Sequence, residues 1–179
     1  MKKLLIAVLL VLCTFKPLCA DRIADLARCY NPTLKETEAL KIEKSILRWT
    51  RKRNIDLCSF LAIIAQESAF DPMAEGGAGE KGLCQVSKTC LKELRRIYGI
   101  DFKQEKLFIP DYNIQVGSLY YRYCAILANN NRREAIARYR TTFRPGRSGY
   151  YAWKVLQLRK TIHRLITRFG FEATPRRAS

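Results

Sequence analysis

The sequence predicts an all-α fold built as a single helical domain, and three observations carry that prediction. Apolar residues recur at three- and four-residue spacing along nearly the whole chain. No segment sustains the two-residue alternation of a half-buried strand. Capping and breaking residues fall where the periodic segments begin and end.

The elements follow in order. A short helix is expected over 21–29, stopped by Asn31-Pro32-Thr33. An amphipathic helix over 33–53 turns Leu40, Ile42, Ile46 and Trp49 inward and leaves a cationic far face. Asp56 suits the cap of the next helix, which reads LCSFLAIIAQES and runs to about position 69. It is apolar nearly all round, so it is expected at the centre of the core. Gly76, Gly77, Gly79 and Gly82 then mark a Gly-rich loop. Ser87 caps a helix to Tyr98, with Gly99 as its stop. Pro110-Asp111 opens another, with Tyr112, Val116, Leu119, Tyr120, Tyr123 and Leu127 as its apolar stripe. A short helix over 131–139 precedes a long one over 148–169, whose apolar positions are Trp153, Leu156, Ile162 and Ile166. No repeat and no second domain is visible.

The first twenty of the 179 residues have a basic start (Met1-Lys2-Lys3), an apolar run (4–12) and a small-residue cleavage site at Leu18-Cys19-Ala20. That order is expected of an exported protein's signal peptide, 1–20. The domain is then expected over 21–170, followed by a flexible tail at 171–179. Loss of Lys2, Lys3 and Lys16 lowers the formal charge from +17 to +14. So basic a surface favours anionic partners: a membrane surface, cell-wall polymer or nucleic acid. The cations are scattered through RWTRKR, LRR, NNNRR and the last helix. They form no aromatic-interleaved run that would grip a single strand, so no specific nucleic-acid partner is expected.

Cys29, Cys58, Cys84, Cys90 and Cys124 remain after cleavage. Export permits disulfides, so two bridges and one spare thiol are compatible with the count, and the pairing is open. No CxxC pair occurs and His163 is the only histidine, so no metal site is expected. The loop has neither dinucleotide nor P-loop spacing, so no cofactor is expected either. Pairing His163 with Cys84 would suggest a thiol hydrolase, but His163 lies inside a helix with no nucleophile motif nearby.

Glu67 is the residue that asks for an explanation. It ends a strongly apolar run, just before Phe70-Asp71-Pro72 breaks the helix. Burial and the negative end of the helix dipole both disfavour its charged form. A carboxylic acid kept protonated this way can donate a proton to a leaving oxygen. A structural ion pair with one of the many Arg or Lys residues is the plainer alternative.

AIIAQESAFDPMAEGGAGEKGLCQV resembles the catalytic motif of the soluble lytic transglycosylases, lysozyme-like enzymes that cut peptidoglycan. The shared residues are Glu67-Ser68, Phe70, Pro72, Ala74, Ala78-Gly79, Gly82-Leu83 and Gln85. Asn113-Ile114 with Gly117, then Ala135, Ala137 and Tyr139, then Tyr151 with Val155, resemble later segments of that family in the right order. The resemblance implies a lysozyme-like helical domain with its active-site loop after the central helix. It implies non-hydrolytic cleavage between N-acetylmuramic acid and N-acetylglucosamine, leaving anhydro-muramyl ends, with Glu67 as the single general acid and base. Ser68 and Gln85 would hold glycan or orient Glu67, Tyr139 would offer a sugar-stacking face, and Tyr151 would position Glu67 through its hydroxyl. Phe70 and Leu83 would be packing residues.

The chain departs from the family pattern at Gly76, at Cys84 and at Arg140-Thr141-Thr142, where Asn-Ala-Gly is usual. Positive charge at Arg140 and Arg144 is expected to suit a carboxylate-bearing strand. The implied partners are peptidoglycan glycan strands in the periplasm or extracellular envelope, with the protein a monomer beside an anionic membrane or an envelope-spanning machine. Two alternatives stand beside this reading. One is a hydrolytic muramidase, with a second carboxylate among Asp71, Glu75 and Glu80. The other is an inactive, basic wall-binding protein.

Overall fold

The computed structural model describes residues 23–140 and 148–168. The expected signal peptide, the tail at 171–179, Thr141, Thr142 and Arg144 lie outside the described residues. The described residues form seven α-helices: α1 (Ile23–Tyr30), α2 (Glu36–Arg53), α3 (Leu57–Ser68), α4 (Lys88–Tyr98), α5 (Pro110–Leu127), α6 (Arg132–Arg140) and α7 (Gly149–Arg168). A 3₁₀ turn, Gln104–Lys106, precedes α5 and was not foreseen. Isolated bridges Glu75–Lys81 and Lys81–Val86 brace the Gly-rich loop, and the described residues contain no strand. The expected all-helical class is the one found.

Local chemistry explains the helix ends. In α2, Glu36 and Glu38 lie in the first turn and Arg51, Lys52 and Arg53 in the last, each complementing the local end of the helix dipole. Asp56 caps α3 by accepting the Ser59 amide at 2.9 Å, and Ser87 caps α4 by accepting the Cys90 amide at 3.1 Å. Gly99 closes α4 in the left-handed region, at φ 67°. No helix of the described residues is long and apolar enough to cross a membrane.

α3 is the centre of the molecule. Every residue from Cys58 to Ala65 is buried. α3 packs chiefly against α7, α2 against α5 and α1, and α6 against α5 and α7. Phe60, Leu61, Ile63 and Ile64 are fully buried; each such side chain stabilises the fold by about 1.5–3 kcal/mol. A central helix is thereby anchored from several sides, and its last turn is held still.

Some expected faces were wrong. Leu127 and Trp153 are exposed, at 40% and 52%. α5 instead buries a wide face that includes Asn113, Ile114, Gly117, Ser118 and Tyr121. α7 buries Ala152, Val155 and Ile162. Hydrophobicity put Trp153 inward, but among the described residues it stacks on its own helix neighbour Tyr150, ring centroids 5.8 Å apart, and stays half exposed. Cys58, Cys84, Cys90 and Cys124 are buried thiols outside any disulfide, and burial pushes the Cys124 thiol up to about 12.

Candidate active site

Glu67 occupies the last turn of α3, and the chain reverses immediately after it. Ala69 and Phe70 both adopt left-handed backbone, at φ 51° and 60°. Two consecutive non-Gly residues there cost on the order of 1–3 kcal/mol each. Burial offsets the strain: Phe70 is fully enclosed, its ring 5.7 Å from that of Tyr30. Its carbonyl accepts a bond from the Asn31 side chain at 3.3 Å. The expectation of Phe70 as a packing residue matches this placement, and so does the enclosure of Leu83.

The Gly-rich loop is tied down by side chains from α3, α5 and α6. Asn113 is the main knot. Its Oδ1 accepts the Cys84 amide at 2.8 Å, and its Nδ2 donates to the carbonyls of Lys81 at 2.8 Å and Leu107 at 2.7 Å. Gly82 must be glycine twice over. Its φ is 69°, and a Cβ there would lie 2.4 Å from both the Leu107 carbonyl and Asn113 Nδ2. On α5, a Cβ at Gly117 would lie 2.5 Å from Cys84 Sγ. The missing side chain lets the loop rest directly on the helix.

Ser68 and Gln85, expected to hold glycan or orient Glu67, and Tyr139, expected to stack on sugar, all bond to this loop. Ser68 Oγ donates to the Leu83 carbonyl at 2.8 Å. Gln85 Nε2 donates to the carbonyls of Ala74 at 3.1 Å and Gly82 at 3.0 Å. Both clip the loop beside Glu67 with their donor groups. Tyr139 is a correction. It is 8% exposed, its ring packs against those of Tyr120 and Tyr121, and its hydroxyl donates to the Cys84 carbonyl at 2.8 Å. An enclosed ring offers no open face for sugar stacking, so Tyr139 positions the loop instead.

Tyr151 meets Glu67 directly: its hydroxyl donates to Oε1 at 2.5 Å. Arg140, the last residue of α6, places Nη1 3.6 Å from Oε2. The Glu67 side chain is 7% exposed and that of Arg140 52%. Burial is the largest influence on Glu67 and pushes its pKa up; the Tyr151 bond and the Arg140 charge pull down, the charge of Glu80 pushes up, and the net direction is upward. Tyr151 is itself held well above the ordinary phenol range, by burial first and then by the charge of Glu67. The pair therefore favours a neutral tyrosine donating to a carboxyl that holds its proton beyond the usual acid range.

The other carboxylates near the loop differ from one another. Asp71 accepts the Met73 amide at 2.8 Å in the turn after α3. Glu75 is exposed and faces Lys81 at 3.6 Å. Glu80 is half-buried, with Oε2 accepting the Ala78 amide at 3.0 Å. His163 is exposed and 3.8 Å from Cys58 Sγ, whereas Cys84 is fully buried beneath the loop. No group of three or more His, Cys, Asp or Glu residues among the described residues is placed to hold a metal ion. Sequence reasoning missed the loop-holding role of Asn113 and the approach of Arg140 to Glu67. An Asn one turn before Gly117 on the same helix was the available signal for the first.

Comparison with known proteins gives the chain's relatives. A family model described as the transglycosylase SLT domain matches residues 44–148. The soluble lytic murein transglycosylase of Salmonella typhimurium LT2 is 31% identical over 116 residues, which is 64% of this chain and 18% of that protein. An inactive mutant of the lytic transglycosylase Slt of Pseudomonas aeruginosa, with a Glu-to-Gln replacement, has a similar solved structure. Its TM-score is 0.55 at 25% identity, covering 82% of this chain and 28% of that one. The 70-kDa soluble lytic transglycosylase of Escherichia coli shares the fold, with a TM-score of 0.56 at 18% identity over 83% of this chain and 28% of that one. The chain thus spans less than a third of the relatives it matches. The matched segment runs over most of the described helices and holds Glu67, the Gly-rich loop and Tyr139, and this chain belongs to the transglycosylase SLT domain family.

Proposed function

We propose that the protein is a peptidoglycan lytic transglycosylase in which Glu67 acts alone as acid and then base. The observation that carries this reading is a nearly buried carboxyl, raised in pKa, hydrogen-bonded by Tyr151 and set beside a braced glycine-rich loop. Glu67 gives its proton to the glycosidic oxygen between N-acetylmuramic acid and N-acetylglucosamine, and the bond from that oxygen to C1 breaks. The C6 hydroxyl oxygen of the same muramyl residue bonds to C1, and its proton passes to Glu67. The carboxyl is restored and no water is consumed. Tyr151 stabilises the carboxylate that exists between the two transfers, because its bond favours the charged form.

Family membership supports the reaction class, and the inactive Glu-to-Gln form of the Pseudomonas relative supports dependence on a glutamate. The reading includes export to the periplasm or extracellular envelope, a monomeric domain over 21–170 and glycan strands as substrate. A hydrolytic reading has one observation in its favour: the charge of half-buried Glu80 is felt at Glu67. A second carboxylate is what water activation needs, yet Glu80 is engaged by the Ala78 amide. Mass spectrometry of digested wall separates the two. Anhydro-muramyl ends are expected, while reducing muramyl ends would replace this reading with hydrolysis.

A further inference from the structure

We propose that Arg140 is a specificity-determining residue: its guanidinium leaves Glu67 for a carboxylate on the substrate, so that strands bearing free peptide carboxylates are cut preferentially. The proposal rests on Glu67 being the acid, and it starts from geometry. Arg140 Nη1 stands 3.6 Å from Glu67 Oε2, beyond ordinary hydrogen-bond range. Its guanidinium lies 5.8 Å from the centroid of the Tyr151 ring, and its side chain is half exposed, at 52%. The cation thus rests at the rim of the site, in loose contact with an almost buried partner.

Arg140 also works against the chemistry while it stays there. Glu67 must be protonated to start the reaction, and a cation beside it favours the carboxylate. The groups acting on Glu67 are Arg140 from α6, Tyr151 from α7 and Glu80 from the loop. Tyr139 and the buried Cys84 thiol respond to its charge in turn. Of these, Arg140 is the cation, with a planar fork suited to bidentate carboxylate binding. Peptidoglycan stem peptides carry free carboxylates. One that takes the guanidinium outward gains a charge-assisted contact and removes a cation from beside the acid. Binding and protonation then favour the same substrate.

The test compares two substrates: soluble peptidoglycan strands with free peptide carboxyls, and the same strands with those carboxyls converted to amides. For the wild-type chain kcat/KM is expected to be about ten-fold higher on the free-acid strands, the value of one charge-assisted contact. Arg140→Gln should bring the ratio close to one, and Arg140→Lys should leave it in between. Thermal melting checks that each variant folds; if Arg140→Gln does not, Arg140→Asn takes its place. A wild-type ratio of one overturns the proposal. So does an Arg140→Gln ratio equal to that of the wild type, including the case where only its pH profile moves, which would make Arg140 a counter-ion of Glu67 alone. Full activity in Glu67→Gln is a separate result and sinks the underlying reading instead.

Discussion

Asp56 and Glu67 stand at opposite ends of α3 with parallel surroundings and opposite electrostatics. Each accepts a hydrogen bond from α7: Asp56 from Arg159 Nε at 2.8 Å, Glu67 from the Tyr151 hydroxyl at 2.5 Å. Each also has an arginine of α6 nearby, Arg132 at 3.8 Å and Arg140 at 3.6 Å. Yet Asp56 is held below the ordinary carboxylate range and Glu67 above it. For Asp56 burial pushes up, but the bonds from Arg159 and Ser59 together outweigh it. For Glu67 burial wins, because its direct donor is a neutral phenol and its cation stands farther off. Helix polarity adds to both shifts, since Asp56 sits at the positive end and Glu67 at the negative. One carboxylate is therefore biased toward its charged form and the other toward keeping its proton.

The hardest blow to this contrast is Glu67→Gln. Wall-cleaving activity is expected to fall by about 10²- to 10⁴-fold, with the melting temperature essentially unchanged. Comparable turnover in that variant would put the chemistry elsewhere. Asp56→Ala should do the reverse. Loss of the cap and of a partly exposed ion pair costs about 1–2 kcal/mol, after allowing for solvent screening of the pair. A lower urea midpoint with normal activity per folded molecule is the expected signature, and lost activity in a stable Asp56→Ala protein would erase the division of labour.

Tyr151→Phe sharpens the Glu67 side. Its hydroxyl favours the carboxylate, so removing it raises the Glu67 pKa further. Because a general acid is lost as pH rises through its pKa, the alkaline limb of the rate profile should move to higher pH. The rate on the plateau should drop roughly ten-fold, about one ordinary hydrogen bond in the transition state. An unmoved limb would mean that Tyr151 only packs.

The smallest effect concerns acid. The folded pKa of Asp56 is depressed, so its contribution to stability is present above the unfolded value, about 3.9, and is lost as pH falls through the folded one. Denaturation curves of wild type and Asp56→Ala should converge as the pH is lowered into that range. A gap that stays constant would show that the cap works through something other than charge.

Local signals proved dependable where a single residue type has one geometric use. Asp56 and Ser87 cap, Gly99 terminates, and the apolar run of α3 is buried on every side. Elsewhere the same residue types had several uses. Trp153 is as apolar as any core residue but is half exposed on α7. Tyr139 of α6 matched a motif position expected to meet sugar, and its buried ring packs against Tyr120 and Tyr121 of α5.

By itself the amino-acid order determined the helical class, the helix ends and the unusual position of Glu67, because periodicity, capping and helix polarity act within a few residues. Family resemblance anticipated the contact of Tyr151 with Glu67, 84 positions away, whereas only the tertiary structure decided that Arg140, 73 positions along the chain, meets the same carboxyl. It also decided that Ser68, Gln85 and Tyr139 hold the loop. The physical reason is that protonation and accessibility depend on which groups surround a side chain in space, and packing between distant helices alone chooses those neighbours.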